Sequence, residues 1–238
     1  ILLYGSDVWG FSKAGCEAID KLCLFFLRCV LRVKKSTSKL MCYGDLGVLP
    51  PSVHAHSHCI LFHSRISNLP ENNIVRSVYN VLHDFNEVGF NNELSKVKDL
   101  ASSYNLDMTS FPYNKHSIQS VKSIIKLFYR LNWHNIVMAS SCTENSSLRM
   151  YKLFKNVHVM EPYLLHADND KHRHAMSKFR CSSHLLEIER ARYQVNIPPI
   201  WNRCCPHCNY AVDDELHLLL FCKTNEFLRV NFLSSILI

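Results

Sequence analysis

Cys205, Cys208, His217 and Cys222 follow one another with the spacing C-x2-C-x8-H-x4-C. Three soft thiolates and an imidazole in one short segment are the donor set of a four-coordinate structural Zn2+ site. The first pair sits on one tight turn, and the His-x4-Cys pair lies about one helical turn apart. Cysteines are also used as small buried apolar side chains. Ligand type, number and spacing together favour the metal. The neighbouring Cys204 and His207 are expected not to ligate.

Just before this motif the chain turns basic. Between positions 168 and 203, Lys171, Arg173, Lys178, Arg180, Arg190, Arg192 and Arg203 face only Asp168, Asp170, Glu187 and Glu189. Phe179 and Tyr193 are interleaved with them, as in surfaces that bind phosphates and stack on bases. A solvated helix face would carry similar charge. With the adjacent metal motif, Lys178, Phe179, Arg180, Arg190, Arg192 and Tyr193 are the expected nucleic-acid contacts, forming one basic face with an aromatic ring open in it.

Other chemistry is thinly represented. His54-x-His56-x-His58 would put three rings on one side of a strand, but the prolines before it favour a helix. His172 and His174 read as surface residues. The chain has no glycine-rich phosphate loop, G-x-S-x-G elbow or H-E-x-x-H pair. Asp213-Asp214 resembles a polymerase aspartate pair but leaves no room for flanking strands.

The elements that must position these residues read as helices. Glycine is scarce, at 6 of 238 residues, and apolar residues recur at three-to-four spacing. Helices are expected over 17–33, 52–66, 70–90, 93–104 and 116–138. Residues 43–51 read as a turn-rich connection, and 105–114 and 140–147 as a boundary and a polar linker. The fold class is mostly α: a helical bundle-like region and a small zinc knuckle. The expected domains are 1–110, 111–198 with the basic segment, and 199–238 with the knuckle and a terminal helix.

Composition agrees with an acidic partner: net charge is +7 and the isoelectric point about 8.8. The 47% apolar content suffices for a sizeable core. Eleven cysteines, four of them crowding the metal motif, do not form a disulfide framework and suit a reducing compartment. No secretory signal is evident, and no apolar run reaches the ~18 residues of a membrane span. The chain begins at Ile1 without methionine, and both ends read as cuts through a longer polypeptide.

Several runs share a family pattern. Lys178-Phe179-Arg180, the stretch Ser183 to Arg192, Ile197-Pro198, Cys205-Pro206-His207-Cys208 and Asp214-Glu215-Leu216-His217 to Cys222 follow in order. Near the start stand Leu3-Tyr4-Gly5-Ser6-Asp7-Val8-Trp9-Gly10, Leu31 to Thr37, and Tyr43-Gly44-Asp45-Leu46-Gly47. Together they resemble the C-terminal, post-polymerase region of reverse transcriptases from LINE-type retrotransposons, which lack long terminal repeats. Ala191 stands where that pattern has glycine, and the middle, from about Pro70 to Pro162, matches weakly.

The resemblance implies a segment that grips template RNA or target DNA and has no catalytic centre of its own. The parent polypeptide would be an RNA-directed DNA polymerase with its metal-binding carboxylates upstream, and the compartment nuclear, cytoplasmic or both. The alternative is a protein–protein interaction module stapled by zinc.

Overall fold

The computed structural model describes residues 2–107, 112–140, 146–167 and 169–236. Cys142, Asp168 and parts of the two expected connections, 105–114 and 140–147, lie outside them. The protein is mostly α. Its helices are α1 (Ser6–Trp9), α2 (Lys13–Leu31), α3 (Lys39–Leu46), α4 (Pro51–Ser67), α5 (Ile74–Glu87) and α6 (Glu93–Ser102). Then come α7 (Lys115–Ser140), α8 (Tyr151–Phe154), α9 (Tyr163–His166), α10 (Asp170–Arg180), α11 (Glu187–Arg190) and α12 (Glu226–Ile236). Among the described residues there is no strand, only the isolated bridges Leu46–Met160 and Cys204–Val212. No helix among them is long and apolar enough to cross a membrane.

The chain forms two compact units interleaved in sequence, residues 1–27 with 47–135 and residues 28–46 with 136–238. They cut across the segments drawn at 110 and 198. Helices α2 and α7 each contribute residues to both.

The first unit is built around α4. Pro51 occupies the first turn, where a missing N–H costs nothing. The Asp20 carboxylate accepts from the Ser52 backbone N–H at 2.9 Å and from its hydroxyl at 2.6 Å, an anion at a helix N-terminus. Val53, Cys59, Ile60 and Leu61 of α4 then pack with Val97 and Ala101 of α6, Leu106, and Val121 and Ile125 of α7. A Cβ at Gly10 would collide with the Ala55 carbonyl, so only glycine lets the end of α1 lie this close to α4.

Two expected boundaries move. Helix α5 starts at Ile74 rather than Pro70, because the Asn73 side chain accepts the Val75 N–H and caps it there. Residues 43–46 are not a turn-rich connection. They belong to α3, whose Met41 to Asp45 are buried, and the turn comes only at Gly47, with φ of 63°.

The second unit is assembled from short helices and buried charges. Asp45, fully buried, accepts the Tyr151 and Tyr163 hydroxyls, each at 2.9 Å, and the Arg180 Nε at 3.1 Å. Arg180 also reaches Glu161 at 2.9 Å. One carboxylate thus joins α3, α8, α9 and α10. Burial, with the Asp45 charge adding to it, pushes the Tyr151 and Tyr163 phenols up, so both remain hydrogen-bond donors.

Candidate metal centre and basic segment

The metal motif is shaped by its own backbone. Cys205 N–H donates to the Ala211 carbonyl at 2.9 Å, and Asp213 N–H to the Arg203 carbonyl at 2.9 Å. This makes a short antiparallel loop around the bridge Cys204–Val212. The loop closes with the Asn209 N–H on the Cys205 carbonyl at 2.8 Å, and Asn209 takes φ of 55°, a left-handed geometry asparagine tolerates. Cys205 and Cys208 thereby face the same way as His217.

His217 is set by a cap and a wide turn. Asp214 Oδ1 accepts the His217 N–H at 2.7 Å. Residues His217–Phe221 then form a π-helical turn, and Cys222 N–H returns to the His217 carbonyl at 2.7 Å. That i→i+5 bond suits the His-x4-Cys spacing, for which an α turn is one residue too short. Such turns are rare and concentrate at functional sites.

The four donors converge. Cys205 Sγ lies 4.0 Å from Cys222 Sγ, and Cys208 Sγ lies 3.2 Å from His217 Nε2. All four ligand atoms fall within 4.8 Å of one another. Donors about 2.0–2.3 Å from a tetrahedral ion would be about 3.5–3.8 Å apart. The residues therefore fit a single metal ion. Cys205, Cys222 and His217 are buried, whereas Cys204 and His207 are exposed and outside the group. Burial pushes the Cys205 thiol up to about 11. Burial also acts on Cys222, but the Thr224 N–H and hydroxyl outweigh it and lower that thiol. A cation held between two thiols this close would stabilise both as thiolates.

The acidic run between the ligands is structural. Asp213 accepts the Glu187 N–H at the start of α11, at 2.9 Å. Asp214 caps His217. Glu215, fully buried, takes Arg149 Nη2 at 2.9 and 2.7 Å and His184 Nε2 at 2.9 Å. Despite the burial that opposes its charge, the His184 hydrogen bond and the Arg149 charge hold the Glu215 carboxyl below the usual carboxylate range. Arg149 also binds Glu189 at 2.5 Å. Sequence reading missed Asp45, Arg149, Glu189, Asp213 and Glu215. The D-D-E run beside a ligand was a signal only for the last two.

The basic segment is corrected in part. Arg180 does not join an open face: its guanidinium, 11% exposed, is spent on Asp45 and Glu161. Phe179 is half-buried, its ring 6.3 Å from Phe154 and 6.0 Å from His184. Arg192 is 22% exposed and bound to Glu189 at 3.1 Å. Lys178 is exposed. Arg190, at 61% exposure, pairs with Glu187 alone among the ion pairs of the described residues. Tyr193 is 63% exposed, with its hydroxyl 2.8 Å from Ser36 Oγ and Lys34 Nζ 5.8 Å from its ring. Trp201 and Tyr210 are more exposed, at 73% and 85%, and composition around them gave no sign of it. Ala191 has an ordinary φ of −64°, so no glycine is required at that position.

The histidine triplet lies on α4. His56 Nδ1 is 2.6 Å from the Tyr104 hydroxyl and its Nε2 is 3.5 Å from Cys16 Sγ, while His58 Nδ1 is 2.8 Å from Ser6 Oγ. The His56 and His58 rings thus bond to other parts of the first unit. No family model matches the chain, and comparison with curated proteins and with solved structures finds no match to it.

Proposed function

We propose that this chain is the nucleic-acid-binding, post-polymerase part of a LINE-type reverse transcriptase polyprotein, and that Cys205, Cys208, His217 and Cys222 hold Zn2+. The convergence of those four side chains within 4.8 Å carries the reading. With every coordination position filled by protein, the ion would be structural, fixing the loop against the turn that ends at Cys222. The resembling runs support it further. Within them, the buried acids Glu189 and Glu215 and the mostly covered Arg180 are fastenings of the unit that carries the site. The segment grips RNA or DNA in the nucleus or cytoplasm and leaves nucleotidyl transfer to carboxylates upstream. Of the four cations expected to meet phosphate, Lys178 and Arg190 are the exposed ones.

The test pairs metal content with salt-dependent binding of a single-stranded oligonucleotide. Lys178→Ala with Arg190→Ala should flatten the log–log salt slope by about 1.4, at about 0.7 per lost phosphate contact. Zinc content should stay at one per chain. Binding with an unaltered slope would remove these contacts. Absence of binding would favour the interaction module, a reading supported by the exposed apolar face of α5, where Ile74, Val78, Val81 and Phe85 are each more than half open to solvent.

A further inference from the structure

Beside the metal loop, Arg192, Ile197, Pro199, Trp201 and Arg203 line a cleft of about 580 Å³. That is within the roughly 300–1,000 Å³ of small-molecule sites. Its lining holds two guanidiniums and no carboxylate. The two cations differ. Arg203 is 4% exposed, and its Nε and Nη1 donate to the Pro198 and Ile188 carbonyls at 3.1 and 2.9 Å. It is fixed in the wall.

Arg192 is less well satisfied. Its Nε donates to Glu189 at 3.1 Å and, more weakly, to the Ile188 carbonyl at 3.4 Å. Its Nη2 is enclosed and has no acceptor. Glu189 is shared with Arg149, which also takes Glu215. Glu189 and Glu215 thus serve Arg149 and Arg192, while Arg203 has only carbonyls as acceptors. A guanidinium with five donors and so few acceptors is a standing site for an anion, and its planar fork matches phosphate.

The third feature is Trp201. An indole left 73% exposed at the rim of a cationic cleft wastes its apolar face unless a planar or apolar partner covers it. Ile197, Pro198, Pro199 and Ile200 add apolar surface to the same cleft. A ring for the indole and an anion for the guanidiniums, in a cleft lined by no carboxylate, together describe a nucleotide.

We propose that this cleft takes one nucleotide of a single-stranded nucleic acid, its base on the Trp201 indole and its phosphate against Arg192. This rests on the nucleic-acid reading above and names a site for it that does not involve Lys178 or Arg190. Stacking of this kind tolerates any base, because every base has a π-face.

The test uses the full chain with zinc, a fluorescently labelled deoxythymidine decamer, and an abasic decamer of the same charge. Trp201→Ala should weaken the thymidine decamer roughly 5- to 150-fold, the range of one lost base stack, with the salt slope unchanged. Trp201→Phe should restore most of the loss. The abasic decamer should bind the unaltered protein about as weakly as the thymidine decamer binds Trp201→Ala. Arg192→Lys keeps charge but not the fork and should weaken the thymidine decamer with its Glu189 pair retained. If the decamer binds and Trp201→Ala changes nothing, the cleft is not the site, and the wider reading stands. Equal binding of abasic and thymidine decamers overturns the base slot in the same way. If neither decamer binds, the nucleic-acid reading fails and takes the cleft with it. Tight binding of an oligoglutamate peptide in that case would assign the cleft to an acidic protein segment.

Discussion

The two compact units hold themselves together by different means. In the first, residues 1–27 and 47–135, α4 lies among apolar neighbours, and its polar contacts are single hydrogen bonds such as His56 with Tyr104 and Ser6 with His58, with the Asp20 carboxylate at its N-terminus. In the second, short helices meet at Asp45, Glu215 and Glu189, each bonded to arginine, and at the four metal donors. Apolar packing spreads its free energy over many contacts and forgives single changes of shape. A buried ion pair concentrates the dependence on a few atoms, because losing one partner strands the other charge. The first unit should therefore fail gradually, and the second at particular residues.

Metal removal should break this contrast most forcefully. Structural zinc can contribute on the order of 10 kcal/mol to a small site. Chelation should expose amides across 199–225 to rapid hydrogen exchange while α4 and α6 keep their protection. Uniform loss across both units would refute the idea that the ion serves the second unit alone. Cys222→Ser should mimic chelation, and metal content by elemental analysis would check it.

Asp45→Ala comes next. It leaves Arg180 with Glu161 as its one ion-pair partner and takes one partner from each of two tyrosine hydroxyls, so a loss of about 3–5 kcal/mol is expected from denaturant unfolding. A cost below about 1 kcal/mol would mean that water enters and replaces the carboxylate. By comparison, Ile125→Val, in the fully buried core of the first unit, should cost only about 0.5–1.5 kcal/mol. A larger loss there would erase the distinction between the units.

The smallest effect is acid weakening of the first unit. Burial lowers the affinity of His54, His56 and His63 for protons. Their folded values lie below the free imidazole value of about 6.5, so the unfolded chain binds more protons in that window. Stability from these groups is present above about 6.5 and is lost as pH falls through their folded values. Ring-proton NMR should give midpoints below about 6.5 for all three. Midpoints above it would mean that the rings gain charged partners on folding.

How much of this was legible in the sequence depended on how local the chemistry was. The candidate metal donors were readable because four unusual side chains sit close together with few other uses. The helices were readable because their period is local too. Which way a helical face points was not: Ile74, Val78, Val81 and Phe85 are in phase on α5, and none of them is buried. Arg180 looked like one more surface cation, because its acceptor Asp45 lies 135 positions away and aspartate is common. The π turn before Cys222 was hidden because spacing alone does not distinguish it from an α turn with a loose end.

The reach from Asp45 to Arg180 also sets a timetable. A ribosome adding about 5–20 residues per second needs roughly 7–27 s to cover that separation. For most of that interval α3, with its carboxylate and the apolar Met41 and Cys42, waits for Tyr151, Tyr163 and then Arg180. The nascent chain therefore carries the early segment of its second unit unpaired for seconds, which is ample time for a chaperone that recognises short apolar helices to engage it.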